Sequence, residues 1–169
     1  MAPDGLSQPQ RAQVFDESTA RKIIEDELWR EGPLLPILHA LQGKFGCIPP
    51  EAESLIAGIL NVTRAEVHGV VSFYHDFRRQ PAGRHVLQIC RAEACQSMGA
   101  EGASRRLLDL LGLDWGGTTP DGNLTVEPVY CLGLCATAPN AMLDGEPRGR
   151  LTTGQLDALA ADLTAEAKR

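Results

Sequence analysis

The chain has 169 residues, 43% of them hydrophobic, 22% charged and 5% aromatic, and sixteen Lys and Arg against twenty-two Asp and Glu leave a formal net charge of -6. That apolar fraction is ordinary for a folded protein, and the length suits one domain or a small domain carrying an extra helical segment. The acidic surplus, without any Lys/Arg cluster, argues against nucleic acid as a partner. No apolar run approaches the roughly 20 residues needed to cross a bilayer, and MAPDGLSQPQRAQ at the N-terminus lacks the layout of a secretory signal. A cytoplasmic protein with no membrane insertion is expected.

Residues 1–15 mix Pro, Gly, Ser and Gln without an apolar period and read as a mobile tail. From Asp16 to Glu31 the pattern is helical, with Ala20, Ile23, Ile24 and Leu28 at three- and four-residue steps and Gly32-Pro33 as the stop. A second helix is predicted from about Pro36 to Gly46, since Pro is tolerated in a first turn. Pro49-Pro50 opens a third, with Leu55, Ile56, Ile59 and Leu60 as its buried stripe. Thr63-x-x-Glu66 reads as the capping box of a fourth. Residues 16–80 therefore form an N-terminal helical domain.

Beyond Pro81-Ala82-Gly83 the period changes, and residues 84–169 read as a second domain. Arg84 to Ile89 is a predicted strand leading into Cys90, followed by a helix bearing Leu107, Leu108, Leu110 and Leu111. Leu124 to Tyr130 is a second strand leading into Cys131. Ala141–Leu143 and Arg148–Leu151 flank Asp144-Gly145, a preferred hairpin dipeptide. Thr152-x-x-Gln155 caps the last helix. The order β-α-β-β-β-α describes a small α/β sandwich, with residues 116–122 as a surface loop.

Five cysteines are present: Cys47, Cys90, Cys95, Cys131 and Cys135. Four form two tight pairs, C-x4-C and C-x3-C, with 35 residues between them. An odd count without a secretory signal fits a disulfide framework poorly. Each pair begins where a predicted strand ends, so adjacent strands would bring four sulfurs to one end of a sheet. Four thiolates serve either a tetrahedral zinc or a 2Fe–2S cluster. The spacing lies at the upper side of the zinc range, which favours the cluster; structural zinc and redox disulfides remain alternatives. Ala92, Ala94, Gly133 and Ala136 would let backbone N–H groups approach the sulfurs.

The runs FGCIPPEAESLIAGILNVTRAEVHGVVSFYHDFR, CRAEACQSMGA and TTPDGNLTVEPVYCLGLCATAPNAML resemble the thioredoxin-like 2Fe–2S subunits. Members sit beside the NADH- and FMN-binding subunit of complex I, of NAD-linked hydrogenases and of NAD-dependent formate dehydrogenases. The resemblance covers roughly residues 16–167. It implies one 2Fe–2S cluster on Cys90, Cys95, Cys131 and Cys135, held by a thioredoxin-like domain behind an N-terminal helical domain that docks on the flavin subunit. CRAEACQSMG and CLGLCATAPNAM look most like the gamma subunit of molybdenum-containing NAD-dependent formate dehydrogenase. The implied partners are then an FMN/NADH-binding flavoprotein and a molybdenum formate dehydrogenase subunit, with FMN, NAD and molybdenum cofactor on those partners only.

The chain shows no Gly-rich dinucleotide fingerprint, no P-loop and no acid–base constellation, so no substrate site is expected on it. It is expected to pass electrons as part of an oxidoreductase complex. The alternatives are the corresponding small 2Fe–2S subunit of complex I or of an NAD-linked hydrogenase, a zinc-stabilised interaction module and a stand-alone ferredoxin. Cys47, where relatives often carry an aromatic, is expected to be a small buried hydrophobe. His39, His68, His75 and His85 show no ligand pairing. Arg91 is either a charge beside the cluster or a solvated arginine. Tyr74 and Phe77 are expected in the core, and Arg78 and Arg79 in a solvated loop.

Overall fold

The computed structural model describes residues 14–166, so residues 1–13 of the expected tail lie outside the described residues. The described chain divides between Pro81 and Ala82 into two compact units. Among the described residues no helix is long and apolar enough to cross a membrane.

The first unit holds four helices, α1 (Glu17–Glu27), α2 (Leu34–Phe45), α3 (Pro50–Leu60) and α4 (Arg64–Phe73). Their boundaries follow from local chemistry. The Asp16 carboxylate accepts from the Thr19 N–H at 2.8 Å and starts α1. Gly46 (φ +79°) and Asn61 (φ +54°) end α2 and α3 in the left-handed region that terminates helices. At α4 both halves of the Thr63/Glu66 box are made. Helix α1 is shorter than expected: beyond Glu27 the chain makes only three-residue bonds, Leu28 to Glu25 and Arg30 to Glu27, and Trp29 is exposed. Ile24, Ile37, Leu38, Leu41, Ile48, Ile56 and Val67 form the core, which the Phe15 ring joins, 5.4 Å from Phe45.

The segment after α4 differs from expectation. Phe77 is buried and packs tilted against the His39 ring, centroids 4.9 Å apart, whereas Phe73 and Tyr74 are exposed. Gln42 straps this segment to α2, donating to the Asp76 carbonyl at 2.6 Å and accepting from the Arg78 N–H at 2.7 Å. Arg79 is not merely solvated. Its Nη1 lies 3.4 Å from Oε1 of Glu53, a fully buried carboxylate that also has the His68 ring at 3.3 Å and Arg64 at 3.6 Å. Cys47 is buried, as a small hydrophobe.

The second unit is built on a four-stranded sheet of β1 (His85–Cys90), β2 (Leu124–Val129), β3 (Ala141–Leu143) and β4 (Glu146–Arg148), in spatial order β2-β1-β3-β4. Strand β1 runs parallel to β2 and antiparallel to β3. The helices are α5 (Glu93–Ser97), α6 (Ala100–Leu111) and α7 (Thr153–Glu166). Leu107 and Leu108 of α6 and Ala160 and Leu163 of α7 join Leu87, Ile89, Leu124 and Val126 in one core. Asp144 (φ +50°) and Gly145 (φ +86°) make the expected two-residue turn. The returning strand starts at once, at Glu146 rather than Arg148. Residues 116–122 are no free loop: Gly116 and Thr119 donate to the Val126 and Leu124 carbonyls, and Thr119 is buried.

Candidate metal centre

Parallel pairing of β1 with β2 positions the cysteines. Cys90, the last residue of β1, is in register with Val129, the last of β2, and the Arg91 N–H donates to the Val129 carbonyl at 2.8 Å. Two loops therefore leave the same sheet edge side by side, one carrying Cys95 and the other Cys131 and Cys135. The third neighbour, β3, contributes Asn140, whose carbonyl accepts from the Cys90 N–H at 3.0 Å.

The four thiols form two pairs of unequal exposure. Cys90 and Cys95 are buried, packed with Ala92, Ala100, Val129, Leu132 and Ala138. Cys95 lies in α5, a helix of five residues that hydrophobic periodicity cannot detect. Cys131 and Cys135 are exposed, their sulfurs 3.8 Å apart. Cys131 adopts φ +86° and Gly133 φ +76°, a curl that points the Gly133 N–H at the Cys131 sulfur, 3.4 Å away. Burial pushes the Cys90 thiol up, but N–H groups of Ala92, Cys131 and Leu132 and the Cys95 thiol outweigh it, leaving Cys90 below the ordinary thiol value. Burial, then the neighbouring Cys90, pushes Cys95 up; the shared hydrogen bond with Cys131, then its charge, pushes Cys135 up.

These residues fit a binuclear centre. Two sulfurs bound to one tetrahedral metal at roughly 2.3 Å lie about 3.8 Å apart, which is the Cys131–Cys135 separation. The sulfurs form two pairs; backbone donors on Cys90 favour the thiolate form a ligand must take, and the Gly133 N–H points at the Cys131 sulfur. The histidines stay apart: His85 binds Asp144 at 2.7 Å and His68 binds Glu53. Arg91 turns aside to Glu101 at 3.2 Å and lies over the Trp115 ring at 4.9 Å. The sequence reading missed Asn140, a buried amide whose Nδ2 lies 3.6 Å from the Cys95 sulfur. An isolated asparagine after A-P gives no pattern that marks it.

Similarities to known proteins agree with this geometry. The chain is 35% identical over 141 residues to NADP-reducing hydrogenase subunit HndA of Solidesulfovibrio fructosivorans, covering 83% of this chain and 82% of that one. It is 39% identical over 137 residues to NADH-quinone oxidoreductase subunit 2 of Thermus thermophilus (80% and 76% covered). It is 37% identical over 150 residues to a component of the NADH-quinone oxidoreductase of Escherichia coli (86% and 90%). Among solved structures, an NAD+-reducing [NiFe]-hydrogenase in the air-oxidized state aligns with a TM-score of 0.65 at 26% identity, over 79% of this chain and only 23% of that one. The family description "Thioredoxin-like [2Fe-2S] ferredoxin" matches residues 20–164, and the chain belongs to the thioredoxin-like 2Fe–2S ferredoxin family, which implies a single 2Fe–2S cluster.

Proposed function

We propose that this chain is the small electron-transfer subunit of an NAD-linked oxidoreductase complex, with Cys90 and Cys95 as ligands of one iron and Cys131 and Cys135 as ligands of the other. The carrying observation is four free thiols at the ends of two adjacent parallel strands and on the loops that follow them, with the outer pair already 3.8 Å apart. A bound 2Fe–2S cluster takes up and releases one electron at a time. The chain's own residues fix its place, shield one side and tune its potential. Cys90 and Cys95 supply the shielded side, while exposed Cys131 and Cys135 mark the side a redox partner can approach.

The proposed partner is an FMN- and NADH-binding subunit. The hydrogenase and NADH–quinone oxidoreductase relatives support one of those two complexes as the parent. A formate dehydrogenase parent, with a molybdenum subunit beyond the flavoprotein, rests on the loop residues CRAEACQSMG and CLGLCATAPNAM. Free thiols throughout suit a reducing compartment such as the cytoplasm.

The test is anaerobic purification with iron, sulfide and zinc analysis, and electron paramagnetic resonance before and after dithionite. A bleachable brown protein with one reduced 2Fe–2S signal, lost on Cys→Ser change at each of the four positions but kept in Cys47→Ser, is expected. A colourless zinc protein would overturn the reading in favour of an interaction module. Co-purification with a flavoprotein then separates a complex subunit from a stand-alone carrier. Reduction of that complex by NADH, hydrogen or formate identifies the parent.

A further inference from the structure

The geometry points to Asn140 as a positioning residue that joins the two cysteine loops and raises the cluster's reduction potential through an amide hydrogen bond to the Cys95 sulfur. This inference rests on the ligand assignment proposed above. Asn140 is buried between the loops, and its groups reach both. Its Nδ2 donates to the Leu134 carbonyl, in the second cysteine loop, at 2.7 Å and to the Cys95 sulfur, in the first, at 3.6 Å. Its carbonyl accepts from the Cys90 N–H at 3.0 Å. One residue of β3's approach thus contacts a thiol of the buried pair, the backbone of that pair's other member and the residue preceding Cys135.

The amide's orientation is set by its partners. A carbonyl oxygen only accepts, so the group 2.7 Å from Leu134 must be the NH2 end. One of its two hydrogens serves Leu134, leaving the second for Cys95. The Oδ1 end is occupied by the Thr137 hydroxyl at 3.0 Å. Gly149 closes the pocket behind it: a β-carbon there would stand 2.7 Å from the Thr137 hydroxyl and 3.2 Å from Asn140 Oδ1. The flipped rotamer would set Oδ1 against a carbonyl and a thiolate, two acceptors facing a third.

A donor on a ligand sulfur stabilises the added negative charge of the reduced state more than the oxidised state, and hydrogen bonds to sulfur are a recognised lever on cluster potential. Asn140→Leu keeps the approximate volume and removes both donors. It is expected to shift the one-electron equilibrium toward the oxidised cluster at least about tenfold, which is about 59 mV. Thr137→Val loosens the far end of the same amide while leaving Nδ2 in place, and is expected to lower thermal stability without moving the potential. The measurement is a mediated redox titration of the whole chain with its cluster, followed by electron paramagnetic resonance. In wild-type protein carrying 15N-asparagine, the reduced signal should also show a nitrogen coupling from the label, which requires no variant to fold.

An unchanged potential in cluster-loaded Asn140→Leu, or an equal shift in Thr137→Val, overturns the proposal. If neither variant holds a cluster, absence of the labelled nitrogen coupling in wild type overturns it and its presence supports it. The ligand assignment fails separately, through a Cys95→Ser variant that keeps wild-type iron, sulfide and spectrum.

Discussion

Glu53 provides a sharp test of the helical unit's energetics, because its carboxylate is wholly buried while Arg64, His68 and Arg79 around it are between 43% and 58% exposed. Removing one arginine leaves the carboxylate its other partners, and the lost pair is half solvated. Arg64→Ala and Arg79→Ala should therefore each cost about 1 kcal/mol or less. Removing both strips the buried carboxylate of two of its cationic neighbours, and breaking a buried pair in that way costs up to about 3–5 kcal/mol. The double variant should thus exceed the sum of the singles. Adding Glu53→Gln to the double removes the stranded charge and should recover a good part of the loss, since a neutral amide is far easier to bury. Amide hydrogen exchange in α3 and α4 measures this locally, without requiring the whole chain to unfold in one step. Strict additivity of the two arginine changes, or no recovery on adding Glu53→Gln, would refute the reasoning.

Other perturbations have equally definite outcomes. Gly133→Ala meets no steric obstacle but must hold φ +76°, so about 1–2 kcal/mol of backbone strain falls on the second cysteine loop. Iron should then leave faster to a chelator, with Gly133→Asn less affected; equal release rates in wild type and both variants would count against this. Asp144→Ala removes contacts to the His85 ring at 2.7 Å and the Val86 N–H at 2.9 Å and puts alanine at φ +50°. Its expected destabilisation in urea is about 2–4 kcal/mol, against roughly 1 for Asp144→Asn, which tolerates that conformation and keeps an acceptor. The Asp16 carboxyl is held at about 2, chiefly by the Thr19 side chain and then by Ser18. Its folded value lies below the ordinary 3.8, so its stabilisation of α1 is complete above 3.8 and lost as pH falls through about 2. Amide protection in the first turn of α1 should decline over that window and do so less in Asp16→Asn; identical pH profiles would exclude the cap as the cause.

Helix starts were the most legible features, because a cap is a short-range device. Thr63/Glu66 and Thr152/Gln155 both make their reciprocal bonds. Strand ends at Cys90 and Val129 fall within a residue of expectation. The start of β4 was less visible, since Glu146, Pro147 and Arg148 are exposed and carry no alternation. Helix α5 is too short for a period, and the pairing of residues 116–119 against β2 is made by backbone groups that composition does not report. Arg79 looked like loop because its carboxylate partner lies 26 positions earlier. Tyr74 and Phe77 are both aromatic, and which turns inward depends on long-range contacts such as the strap from Gln42. At the centre, paired spacing indicated which thiols belong together. It gave no indication that one pair is buried and the other open, or that Asn140 touches both loops.

The parallel register of β1 and β2 carries a consequence for biogenesis. With Cys90 level with Val129, a slip of one residue would displace Cys131 by about 3.3 Å along the sheet edge and turn alternate side chains of the slipped strand to the opposite face. Cys131 and Cys135 follow the same strand and would move together, so a slip would carry the outer pair away from Cys90 and Cys95. Binding of a cluster by these four cysteines would therefore favour natively registered chains over slipped ones by mass action. Iron content per chain would then report the share of correctly paired sheets.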